Sequence, residues 1–162
     1  MPWIWLNDEF TSVCYKNNYP TILVPDEIKE AVGSKYCVAD ISKYYKFDKK
    51  IIKLIFRASA DNAYILHINN NLVGIGPAAA GGDFLCVGKA PKHYADKYEL
   101  DMSDDDTNKL DIVAKVRLLP EMLTDYSRGH GGFCLSGTVT FDDGTTEMIE
   151  TDSTWYAKRD EA

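Results

Sequence analysis

A chain of 162 residues with 45% hydrophobic and 12% aromatic residues has the composition of one globular domain that buries a core, not of a disordered segment. Its net charge of −7, with no basic stripe, excludes nucleic acid as the expected partner. No apolar run reaches the roughly 20 residues needed to cross a bilayer, so no membrane partner is expected. The opening MPWIWLNDEF meets acids at once and lacks a basic region, unlike a secretion signal. Cys14, Cys37, Cys86 and Cys134 show neither C-x-x-C spacing nor a zinc pattern. Without export, reduced thiols in a cytoplasmic protein are the expectation.

In chain order, the first predicted element is one short helix over Asp26–Val32, opened by Pro25-Asp26 and stopped by Gly33. After it the period-2 alternation of strands takes over. Ile52, Leu54, Phe56, Ala58 and Ala60 share one face, with Lys53, Arg57 and Ser59 on the other. Tyr64, Leu66 and Ile68 alternate with His67 and Asn69, and a two-residue turn is predicted at Asn70-Asn71, because Asn tolerates positive φ. Ala78-Ala79-Ala80-Gly81-Gly82 reads as a surface loop and Ser103-Asp104-Asp105-Asp106 as an acidic turn. Leu110, Ile112, Ala114, Val116 and Leu118 form a third strand face. Phe133, Leu135, Val139 and Phe141 form a fourth, closed by an Asp143-Gly144 hairpin. Strands joined by short turns imply an all-β fold, an antiparallel β-sandwich of two facing sheets.

Chemistry is harder to find than fold. Asp61-Asn62 and Asn69 to Asn71 bracket one strand with short oxygen-bearing side chains, and their first duty is to turn the chain. Six residues from Ala63 to Ile68 separate them, roughly 20 Å at 3.3 Å each, so both cannot line one sugar pocket. The favoured rim is the Asp61-Asn62 end, joined by His130 from the Arg128-Gly129-His130-Gly131-Gly132 loop and by Trp155 as a stacking surface. For Trp3, Trp5 and Trp155 taken together, the favoured reading is that the two chain ends lie side by side and the indoles close the sandwich, over exposed indoles that stack on sugar. Asp101 and Asp104 to Asp106 do not match the calcium loop D-x-[DN]-x-[DN]-G, so calcium is only weakly indicated and no cofactor is expected. There is no H-E-x-x-H, no G-x-S-x-G and no tuned pair of carboxylates, so the chain itself is not expected to be an enzyme.

Several of these stretches together resemble the N-terminal domain of bacterial α-L-rhamnosidases. Trp3-Ile4-Trp5 opens the chain, and Ala60-Asp61-Asn62 leads into Tyr64-x-Leu66-x-Ile68-Asn69 and Val73-Gly74-x-Gly76-Pro77. Tyr98-Glu99-Leu100-Asp101 and Asn108-Lys109-Leu110-Asp111-Ile112-Val113-Ala114 look like that family's strand pair. Gly137 to Phe141, Asp143-Gly144 and Thr151-Asp152-Ser153-Thr154-Trp155 are similar to its closing strands. The resemblance runs from about residue 50 to 157. Asn70-Asn71 stands where the family prefers Gly, Asp104 to Thr107 replaces its usual loop, and residues 11 to 45 have no counterpart. The sugar-binding domains of β-galactosidases and β-glucuronidases share the central Tyr-x-Leu-x-Ile-Asn pattern.

The resemblance implies a jelly-roll-like fold of the galactose-binding type over residues 1–162, an accessory domain within a longer multidomain glycosidase. Its partner would be the catalytic barrel of the same polypeptide, which carries the catalytic acids, and a rhamnoside or other sugar would be its ligand. The alternative is a free-standing, lectin-like sugar- or calcium-binding module.

Overall fold

A computed structural model describes residues 1–6, 37–61, 63–77, 95–118 and 132–160. Nine strands lie among them: β1 (Cys37–Lys46), β2 (Ile51–Asp61), β3 (Ala63–Ile68), β4 (Asn71–Gly76), β5 (Asp96–Asp101), β6 (Lys109–Leu118), β7 (Gly132–Phe141), β8 (Thr146–Glu150) and β9 (Tyr156–Arg159). They form a five-stranded sheet ordered β4-β3-β6-β1-β9 and a four-stranded sheet ordered β5-β2-β7-β8, with every strand pair antiparallel. No helix lies among the described residues, and the predicted helix over Asp26–Val32 falls outside them.

The alternation read from the sequence sets the inner faces. Leu54, Phe56, Ala58 and Ala60 of β2 and Phe133, Leu135, Val139 and Phe141 of β7 face Tyr64, Leu66 and Ile68 of β3 and Leu110, Ile112, Ala114 and Val116 of β6. All are buried, and each large apolar side chain contributes about 1.5–3 kcal/mol relative to exposure. The face of β2 differs from the predicted one at its start. Ile51 is fully buried, whereas Ile52 is only partly so, because the β2–β7 register shifts between Ile51 and Lys53. A bulge adds one residue to one strand and so moves the alternation by one. β1, within residues that no sequence motif placed, lies between β6 and β9 and buries Ala39 and Ile41.

Two turns also differ in detail from expectation. The β3–β4 turn consists of Asn69 and Asn70, at φ 49° and 66°, between the paired Ile68 and Asn71. Two successive left-handed residues are what a type I′ hairpin requires, so the turn sits one residue earlier than Asn70-Asn71. Between β7 and β8 the loop has four residues, Asp142 to Thr145: Gly144 N donates to Phe141 O (2.9 Å), Phe141 N to Thr145 O (2.9 Å), and Gly144 has φ 81°. That is a turn followed by a left-handed residue, the role for which glycine is suited. The Asp143 carboxylate accepts from the Thr145 amide at 2.9 Å and pairs with Lys49 at 2.7 Å.

Candidate functional site

β2 ends at Asp61 in the four-stranded sheet and β3 begins at Ala63 in the other. The chain therefore changes sheet after Asp61, and β2 and β3 are not the two arms of a hairpin. The backbone of Asp61 lies opposite Gly132, the first residue of β7. Asn62 and His130 lie outside the described residues, as does the Ala78–Gly82 loop. Trp155 is only 8% exposed: its Nε1 donates to Glu150 O at 2.9 Å, and its ring lies 6.1 Å from that of Phe133. Its indole thus belongs to the core, where the reading of indoles that close the sandwich puts it, and it is not a stacking surface at the rim. The reason is the packing of the last loop under β7, which the run Thr151–Trp155 alone does not reveal.

At the opposite end, Asn69 is saturated by its neighbour strand. Its Oδ1 accepts from Asp111 N (2.8 Å), its Nδ2 donates to Lys109 O (3.1 Å), and its amide donates to Asp111 O (2.8 Å). These bonds extend the β3–β6 ladder past the last paired residue, so Asn69 is a structural turn residue. The acidic turn is similar in kind. Asp101 Oδ1 accepts from Ser103 N at 3.0 Å, and Ser103 holds that carboxyl below the usual range. Among the described residues, no group of three or more His, Cys, Asp or Glu side chains could hold a metal ion.

Two features near the Asp61 end depend on contacts between residues far apart in the sequence. The first is the N-terminal segment. Ile4 exchanges both backbone hydrogen bonds with Phe133 at 3.0 Å, and Thr151 Oγ1 donates to Pro2 O at 2.6 Å. This lays Trp3 over Gly132, where an added Cβ would sit 2.6 Å from the indole Cε3. Trp3 is 42% exposed, while Trp5 packs against the core. So Trp5 and Trp155 close the sandwich, while Trp3 stays exposed.

The second is a part-buried polar chain between the sheets. Tyr64 Oη of β3 donates to Asp96 Oδ2 (2.8 Å) and meets Tyr98 Oη of β5 at 2.8 Å. A phenol has one proton, so Tyr98 donates to Tyr64 and Tyr64 to Asp96. Burial, followed by its bonds to Tyr98 and Asp96, pushes the Tyr64 hydroxyl far above its ordinary value of 10.0, so it stays neutral and a donor. Gly74 and Gly76 of β4 make room for this chain. A Cβ at Gly74 would lie 2.6 Å from Tyr98 Cε1, and one at Gly76 would lie 2.6 Å from Tyr64 Oη. The arrangement ties β3 to β5 and fixes Asp96, and it contains no activated nucleophile. The alternating Gly74-x-Gly76 was the one local signal of a close approach.

No protein-family model matches the sequence, and no curated protein matches it. The fold has clear counterparts among solved structures. It is shared with a lectin and with rhamnosidase β-domains. A lectin from Pleurotus ostreatus superposes with a TM-score of 0.56 at 18% identity, over 78% of this chain and 31% of that one. A rhamnosidase of Bacillus sp. GL1 gives 0.57 at 21%, over 77% and 12%. The α-L-rhamnosidase of Streptomyces avermitilis, solved with L-rhamnose, gives 0.54 at 15%, over 99% and 12%. This chain therefore spans about a third of the lectin's length and about an eighth of either hydrolase's.

Proposed function

We propose that the chain is a non-catalytic, carbohydrate-binding β-sandwich of the galactose-binding, jelly-roll-like type, serving as an accessory domain of a cytoplasmic glycoside hydrolase that acts on rhamnosides. The observation that carries this reading is the sandwich itself, whose neighbours include both a lectin solved with GalNAc and an α-L-rhamnosidase solved with L-rhamnose. In such a protein the catalytic barrel of the same polypeptide would be this domain's partner. The second reading, a free-standing lectin-like sugar- or calcium-binding module, draws its support from the Pleurotus ostreatus lectin, whose superposition covers 96% of this chain.

On either reading we place sugar contact at the Asp61 end. The exposed indole of Trp3 over Gly132 takes the stacking role for which Trp155 is too buried. Asp61, Asn62, which follows it, and His130, two residues before Gly132, are the proposed polar contacts. The test has two arms. The isolated chain should leave aryl rhamnosides intact, because bond cleavage needs two opposed carboxylates at a pocket. L-rhamnose or galactose should quench tryptophan fluorescence in the wild type and not in Trp3→Ala. Hydrolysis lost on changing one Asp or Glu, or quenching unchanged in Trp3→Ala, would sink the corresponding part of the proposal.

A further inference from the structure

Among the described residues, four strands have no neighbour on one side: β5 and β8 border the four-stranded sheet, and β4 and β9 the five-stranded one. An open edge is a template for pairing with another chain, and proteins commonly blunt it with charge. Three edges here are blunted in that way, since β5 reads DKYELD, β8 TEMIE and β9 YAKR. The fourth is not. β4 reads NLVGIG, with neither a charged residue nor a proline. Its Leu72 and Ile75 are exposed to 60% and 67%, and Ile65, which pairs with Ile75 on β3, to 38%. Among the described residues a register shift between Leu66 and His67 also lies there, and it leaves these side chains in solvent.

We propose that β4 is the edge through which two copies of this chain pair, antiparallel about a two-fold axis, so that two five-stranded sheets become one of ten strands. Charge selects this occupant. The chain carries −7, so copies repel across most of their surface, whereas β4 against β4 brings no charged side chain of either strand to the seam. A two-fold axis also requires the patch to be complementary to itself. With the axis between Val73 and Gly74, Leu72 of one copy lies opposite Ile75 of the other, twice. Together with Ile65 from each copy, these side chains form a continuous apolar band of six on the outer face of the joined sheet. The pairing uses neither the Asp61 end nor Trp3, so it stands or falls separately from sugar binding.

Sedimentation equilibrium of the full chain over about 5–500 µM, where micromolar to millimolar association is read, tests the proposal. The wild type should show a concentration-dependent monomer–dimer equilibrium. Ile75→Lys should weaken it by roughly tenfold or more, about 1.4 kcal/mol. Met148→Lys puts the same charge on a 75% exposed position of β8 and should leave dimerisation unchanged. Leu72→Glu serves as a second β4 variant, and circular dichroism verifies the fold of each. A wild type that stays monomeric throughout, or equal weakening by the β4 and β8 variants, would overturn the proposal.

Discussion

Removing the Tyr64 hydroxyl tests the polar chain between the sheets most sharply. Tyr64 is 1% exposed, so Tyr64→Phe deletes its two hydrogen bonds, both 2.8 Å, at a position that water does not reach. A bond to a charged acceptor is worth about 1.5–3 kcal/mol and a neutral one about 0.5–1.5. The expected loss is therefore about 3 kcal/mol. For a domain of this size each kcal/mol moves Tm by about 2–4 °C, which gives a fall of roughly 6–12 °C. Tyr98→Phe removes only the neutral donor at the end of the chain and should cost about 1 kcal/mol. In the Tyr64→Phe background, Tyr98→Phe should cost little, because the hydroxyl it deletes has already lost its acceptor; the double-mutant coupling is then about 1 kcal/mol. Urea unfolding of the four proteins measures all of these. A Tyr64→Phe protein within about 0.5 kcal/mol of wild type, or a Tyr98→Phe protein equally destabilised, would refute the donor order Tyr98 to Tyr64 to Asp96.

Asn70→Gly should be neutral or stabilising in thermal melts and Asn70→Val should cost on the order of 1 kcal/mol, because Asn70 sits at φ 66°; a larger cost from Asn71→Val would return the turn to its sequence-predicted place. Burial pushes the Cys134 thiol up to about 11 from 9.0. The unfolded chain then gives up this proton first as pH rises, so the thiol's contribution is complete below about pH 9 and is lost between roughly pH 9 and 11. Stability measured across that window should fall less steeply in Cys134→Ala than in wild type, and parallel slopes would contradict the assignment.

The strands that were legible in the sequence are those with one clean buried face. Leu110 to Val116 and Tyr64 to Ile68 alternate without interruption, and their inner residues are those the pattern selects. β1 was not legible. After Ile41 its sequence runs SKYYK, with partly buried Lys43 and Tyr45 on the inward parity, so polarity and burial diverge. Period-2 alternation also says nothing about which strand pairs with which. The turn read at Asp61-Asn62 therefore hid a change of sheet after Asp61, and the placing of the next turn at Asn69-Asn70 is set by the β3–β4 ladder, which the pattern does not contain. The Tyr64–Asp96–Tyr98 chain joins residues 32 and 34 positions apart, a proximity set only by the packing of one sheet on the other. Trp155 and Trp3 were equivalent as letters; pairing of Ile4 with Phe133 leaves one indole exposed and the last loop buries the other.

The central claim is that sugar binds at the Asp61 end of the sandwich, and backbone amide NMR during titration with L-rhamnose and galactose tests it directly. We predict shifts that grow with sugar concentration at Trp3, Asp61, Gly132 and Phe133, with a Kd of about 1 mM, worth roughly 4 kcal/mol. Shifts confined to Asn69, Asn70 and Asn71, or none at about fifty times that concentration, would contradict it.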